Sequence, residues 1–164
     1  MSPTNDGRRK RRKRRVGADG LVQWSDTHAA AWIGLLETHK RLTRELEAEL
    51  EAEHGLSISS LELMSRLARA DERMLRLTTL ADEAGLSLSR VSRILDTLER
   101  RGLVERRADA HDTRAKKAWL TAEGLELLQA AQKAHFAGVE RLFFDHVSES
   151  DVETLARLFQ PFRR

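Results

Sequence analysis

Residues 80–107 read LADEAGLSLSRVSRILDTLERRGLVERR, and the recurrence of their apolar positions decides the fold. Leu88, Val91, Ile94, Leu95 and Leu98 return at helical spacing and form one stripe, with Ser89, Arg90, Ser92, Arg93 and Asp96 largely outside it. Ser87 stands where an N-cap belongs, and Gly85 separates this helix from a shorter one over 78–84. Two helices joined at a glycine, the second with a polar and basic outer face, describe a helix-turn-helix. Gly102 then ends the second helix. Leu103, Val104 and Glu105 read as a short strand and residues 115–120 as its partner, with a polar loop over 106–114 between them. A hairpin directly after a recognition helix is a wing.

Outward from this centre the chain reads as helix. Trp32, Leu35, Leu36, Leu42, Leu46 and Leu50 keep one broad apolar face on a helix over about 25–53, and His54-Gly55 is its stop. Ser59, with Glu62 three residues on as a capping box, begins a second helix that buries Leu61, Leu63, Met64 and Leu67. Thr121 caps a long helix through about His146, and Ser148 or Ser150 starts a last one carrying Val152, Leu155, Leu158 and Phe159. The expected class is mainly α with a small β-wing. The domains are a disordered basic tail over 1–20 and one folded domain over 21–164. Within the latter, 25–53 and 121–164 are dimerisation helices and 59–120 the winged helix-turn-helix. Terminal helices with more apolar surface than one small lobe needs pack on a second copy, so a homodimer is expected.

Charge is distributed unevenly. Residues 8–15 are eight consecutive Lys or Arg in a chain of formal charge +3, so residues 16–164 hold 21 basic and 25 acidic side chains. Within that acidic body, residues 85–117 carry nine basic against five acidic groups. The positive charge is concentrated where the motif meets a duplex. The tail suits a non-specific clamp on phosphates. Cysteine is absent, which removes disulfides, thiolate zinc sites and thiol-based sensing. With neither a secretory signal nor a membrane span, a cytoplasmic protein is expected.

The helix over 87–101 is expected in the major groove, where base edges give a full code. Arg90 and Arg93 are the candidates for base or adjacent phosphate contacts, and Ser87 and Ser89 for phosphate contacts at the helix start. Arg114 is assigned to the minor groove, and Arg106, Arg107, Lys116 and Lys117 to the DNA backbone. Asp112, too acidic to touch DNA, is expected to fold the wing by pairing with a nearby arginine.

The quoted stretch resembles the helix-turn-helix of the MarR family of bacterial transcription regulators almost throughout. Asp112-Thr113-Arg114, Leu120-Thr121 and Gly124 match the family's wing and the helix after it. The resemblance implies a triangular homodimer with intertwined first and last helices. It also implies binding to a pseudo-palindromic operator, and usually repression relieved by a small anionic or aromatic compound, although activators are known. The tryptophan-bearing first helix and residues 134–148 are similar to the branch that responds to urate or related metabolites. On that similarity Trp24 or Trp32, Glu62 and Arg93 are the ligand-binding candidates, Glu62 standing where the branch has Asp.

Other functions have less in the sequence. The six histidines, His28, His39, His54, His111, His135 and His146, are widely separated and form no H-E-x-x-H pair, so no metal or other cofactor is expected. No phosphate-binding glycine loop or nucleophile elbow occurs, and the chain is read as non-enzymatic. The alternative to a regulator is a winged helix that binds proteins, or nucleic acid without sequence preference, through its basic tail.

Overall fold

The computed structural model describes residues 15–24, 26–108 and 116–162. The basic run over 8–14, the wing turn and two expected site residues on it, Asp112 and Arg114, lie outside the described residues. The chain divides into two units, one ending at Arg41 and one beginning at Leu42, and helix α1 (Asp26–His54) contributes to both.

In the first unit, β1 (Arg15–Val16) and β2 (Val22–Gln23) form an antiparallel hairpin. The tail expected over 1–20 overlaps this hairpin, whose first strand begins at Arg15. Its turn has the chemistry to close: Gly20 takes a left-handed φ of 77°, and the Leu21 N–H donates to the Asp19 carboxylate at 3.0 Å. The N-terminal part of α1 carries exposed Trp32, Ile33, Leu35 and Leu36, and the Trp24 and Trp32 rings lie 6.1 Å apart.

In the second unit, Leu46 and Leu50 are the buried residues of α1. Gly55, at φ 62°, turns the chain into α2 (Ile58–Arg69). The N-cap of α2 is Ser57, which accepts from the Ser60 N–H at 3.0 Å, and not Ser59. Glu62 forms no capping box either; it pairs with Arg66 one turn on at 2.7 Å. The expected buried side of α2 is as observed, with Leu61, Leu63, Met64 and Leu67 all in the core.

A strand absent from the sequence reading follows. Asp71–Arg73 make a 3-10 turn in which Glu72 and Arg73 both take positive φ, and β3 (Met74–Arg76) leads into α3 (Leu77–Ala84). Gly85, left-handed at φ 64°, closes α3, and Ser87 caps α4 (Leu88–Arg100) by accepting from the Arg90 N–H at 3.3 Å. Val91, Leu95 and Leu98 are buried and Ile94 packs against them. Leu88 does not belong to the stripe: at the first turn of α4 it is 49% exposed. β4 (Val104–Ala108) and β5 (Lys116–Leu120) are the wing strands, with Val104 opposite Leu120 and Arg107 opposite Lys117. β5 is central, since Met74–Arg76 pairs on its other side and the sheet order is β3-β5-β4.

Thr121 caps α5 (Ala122–Leu142) as expected, but the helix ends four residues before His146 and passes into a 3-10 turn. Ser148 caps α6 (Glu149–Phe159). The core gathers α2, α3, the inner side of α4, the inner sheet face and Leu128 and Ala131 of α5. No helix among the described residues is long and apolar enough to cross a membrane.

Candidate nucleic-acid interface

α4 is two-faced because its sequence is. Burial of Val91, Leu95 and Leu98 fixes its rotation, and this turns Ser89, Arg90, Arg93, Thr97 and Arg100 outward as exposed residues. At its start the Ser87 hydroxyl is committed to the cap and lies 3.2 Å from the Ser89 hydroxyl. The first backbone N–H groups of the helix lack helical partners and give this end a partial positive charge. Arg90 and Arg93 differ in freedom. Arg90 Nη2 donates to Ser59 Oγ at 3.3 Å, which steadies the guanidinium against α2. Arg93 is exposed, with no ion pair among the described residues. Arg100 lies further along the same exposed face, its Nη2 donating to Thr97 Oγ1 at 3.2 Å.

The wing arginines part company. Strand β4 extends to Ala108, so adjacent residues point to opposite faces of the sheet. Arg106 shares the inner face with Ala118 and meets α4, where its Nη2 lies 2.7 Å from Asp96 Oδ1 and 2.5 Å from Glu99 Oε2. Its Nε also reaches Glu99 Oε2, at 2.8 Å, and its backbone N–H donates to Glu99 Oε1 at 3.0 Å. The hydrogen bonds from Arg106 hold the Glu99 carboxyl below its ordinary range, and the same contacts, Glu99 first, raise the Arg106 guanidinium. Arg106 therefore does not have the free charge expected of a phosphate contact. It braces β4 against α4; the pairing expected of Asp112, with a nearby arginine to fold the wing, concerns a residue outside the described ones.

Arg107 faces outward, paired with Glu105 at 2.6 Å and lying 4.7 Å over the Trp119 ring. The register puts Arg76 of β3, Lys117 of β5 and Arg107 of β4 in one row across the outer face. Arg76 was missed in sequence because β3 was missed. Lys116 is exposed at the start of β5. These three cations stand side by side across the ladder, Arg107 also being paired with Glu105.

Trp24 and Trp32 are half-exposed and contact each other in the first unit. Glu62 is engaged by Arg66, which also lies 3.5 Å from Glu83. Arg93 stands on the outer face of α4.

Residues 60–108, from α2 to β4, match the IclR helix-turn-helix domain family. This segment covers most of α2 through β4 and leaves out β5 and the flanking helices α1, α5 and α6. The whole chain gives the fuller comparison. The structure of AbsC from Streptomyces coelicolor, a MarR family transcriptional regulator, is similar at 31% identity and a TM-score of 0.79, over 85% of this chain and 94% of that one. Sco3205 from the same organism, a MarR family regulator solved in complex with DNA, is similar at 28% identity and a TM-score of 0.79, over 85% and 89% of the two chains. The transcriptional repressor YetL of Bacillus subtilis is 26% identical over 132 residues, 79% of this chain and 78% of YetL. AbsC matches far beyond the helix-turn-helix, into the helices that flank it, and on that whole-chain likeness this chain belongs to the MarR family of transcriptional regulators.

Proposed function

We propose that the protein is a homodimeric regulator that binds a pseudo-palindromic DNA operator, inserts α4 into the major groove, and acts as a repressor released by a small anionic or aromatic ligand. The observation that carries this reading is α4 itself. One side is locked in the core by Val91, Leu95 and Leu98, while Arg90 and Arg93 stand exposed on the other, with the wing directly after it. Arg93 reads a base edge and Arg90 a base or the adjacent phosphate. The N–H groups at the start of α4, beside Ser87 and Ser89, hold a phosphate. Lys116, Lys117, Arg107 and Arg76 supply backbone contacts from the sheet, and Arg114 enters the minor groove.

Dimerisation is supported by the apolar residues left exposed on α1, α5 and α6, among them Trp32, Phe136 and Leu158. Sco3205, solved with DNA, supports the duplex as partner. Ligand release rests on the family and on the exposed Trp24–Trp32 pair, whose faces suit an aromatic compound. The chemistry of regulation needs no catalysis from this chain, which works in the compartment that holds the genome.

The test is binding of the purified protein to its own upstream DNA and to a scrambled duplex at about 0.15 M salt, where specific sites are typically favoured by several kcal/mol. Selective binding of two subunits per site is expected. Equal affinity for both duplexes, followed by a random-duplex selection that finds no preferred site, rejects the reading in favour of tail-driven or protein binding.

A further inference from the structure

The recognition helix is tied at its far end to another part of the fold. Arg101, the C-cap residue of α4, turns its guanidinium onto the end of α1: Nη2 donates to the His54 carbonyl at 2.9 Å, and Nη1 donates to the Gly55 carbonyl. Carbonyls at a helix C-terminus lack helical partners and carry the negative end of the helix dipole. A planar guanidinium bridges two of them at once, as a lysine ammonium on its flexible stem does not. Gly55 suits the turn that presents these carbonyls, because its φ of 62° lies in the left-handed region that other residues rarely adopt.

The same end of α1 is fastened on its other sides. Glu47 accepts from the Ile58 N–H at 2.9 Å, and Glu49 pairs with Arg141 of α5 at 2.5 Å. Leu46 packs so close to α5 that a Cβ on Gly138 would reach within 2.9 Å of it. The C-terminal part of α1 and α5 thus form one frame, and Arg101 is the polar link from that frame to the end of α4.

We propose that Arg101 is a positioning residue for DNA reading, which holds α4 at a fixed angle to the α1–α5 frame and thereby sets the separation of the two recognition helices in the dimer. This rests on the dimeric DNA-binding reading above. Two recognition helices must meet half-sites about one helical turn apart. A rotation of α4 in each subunit is doubled by symmetry, so a loosened link shows first as tolerance of the wrong spacing. An arginine that contacts phosphate acts differently, weakening every duplex and lowering the salt slope by about one.

The experiment uses the full chain as wild type, Arg101→Ala and Arg101→Lys. Each binds duplexes that carry the selected half-sites at spacers lengthened or shortened by about one or two base pairs, and a random duplex, at two salt concentrations. The wild type is expected to favour one spacing by about tenfold or more. Arg101→Ala should flatten that preference to about threefold or less, with base preference within the half-site, random-duplex affinity and salt slope unchanged. Arg101→Lys should lie between. Thermal unfolding checks that each variant folds, and if Arg101→Ala does not, Arg101→Lys alone decides. An unchanged spacing profile in a folded variant overturns the proposal, as does equal loss on all duplexes with a lower salt slope. A wild type with no preferred duplex or spacing would instead sink the dimeric reading, and this inference with it.

Discussion

Gly124 shows how one missing carbon joins the wing to the helix behind it. A Cβ there would lie 2.1 Å from the Leu103 carbonyl oxygen and 2.9 Å from Leu120 Cδ1, and a backbone atom has nowhere to go. Thr121 tightens the same junction: its hydroxyl donates to the Gly102 carbonyl at 2.8 Å and accepts from the Gly124 N–H at 3.0 Å. Gly124→Ala gains about 1 kcal/mol of helix propensity. It should nevertheless destabilise the protein by about 1–3 kcal/mol or more through overpacking. Urea unfolding measures this, and a variant as stable as wild type would mean that α5 does not approach Leu103 so closely. Glu99 gives a second, pH-dependent case. Its carboxyl is held low by the hydrogen bonds from Arg106, so its contribution to stability is fully present above the ordinary value of 4.5 and is lost as pH falls through the depressed folded-state value. Glu99→Gln should therefore be less stable than wild type at pH 7, with the gap closing as the pH falls below 4.5. A gap independent of pH would trace the loss to packing rather than charge.

At the scale of elements, what was legible in the sequence was what repeats. Val91, Leu95 and Leu98 return at helical spacing, and Ser87, Gly85 and Gly102 punctuate them with side-chain and backbone chemistry that acts locally. β3 was not legible because Met74, Leu75 and Arg76 are too few to show alternation, and the turn before it puts Glu72 and Arg73, neither a glycine nor an asparagine, at positive φ. Leu88 matched the helical spacing but sits a turn too early to reach the core. The separate fates of Arg106 and Arg107 depend on a strand reaching Ala108, a tertiary fact that two adjacent arginines do not announce. Arg106, tied to α4, and Arg93, exposed on the outer face of α4, should show opposite phenotypes. Arg93→Ala should lower discrimination between the operator and a base-substituted operator by about 1–3 kcal/mol, with little change in thermal stability. Arg106→Ala leaves Asp96 and Glu99 facing each other without their cation, so it should lower the unfolding temperature more than Arg93→Ala does. If Arg106→Ala unfolds like wild type and binds all duplexes more weakly, its guanidinium contacts phosphate after all.

For the whole molecule, the exposed apolar residues of α5 and α6 and the basic run of the sequence predict separable losses. Phe136 on α5 is 61% exposed and Leu158 on α6 58%, more apolar area than a lone subunit has reason to show to water. Phe136→Asp is expected to shift sedimentation towards monomer and to remove operator binding, since one recognition helix alone reads only half a site. A variant that stays dimeric would mean that this part of α5 lies outside the interface. The basic run is the other region. Seven of its eight cations fall in residues 8–14, joined to a body that carries more acidic than basic groups. Each phosphate neutralised contributes about 0.9 to the slope of affinity against salt. Deletion of residues 1–14 should then flatten that slope by as much as about six and weaken the operator and a random duplex by the same factor. Their affinity ratio should stay put, because the proposed reading places specificity in α4 and not in a uniform cation string. Loss of the ratio itself would show that the tail reads sequence, with its arginines in a groove rather than along the backbone.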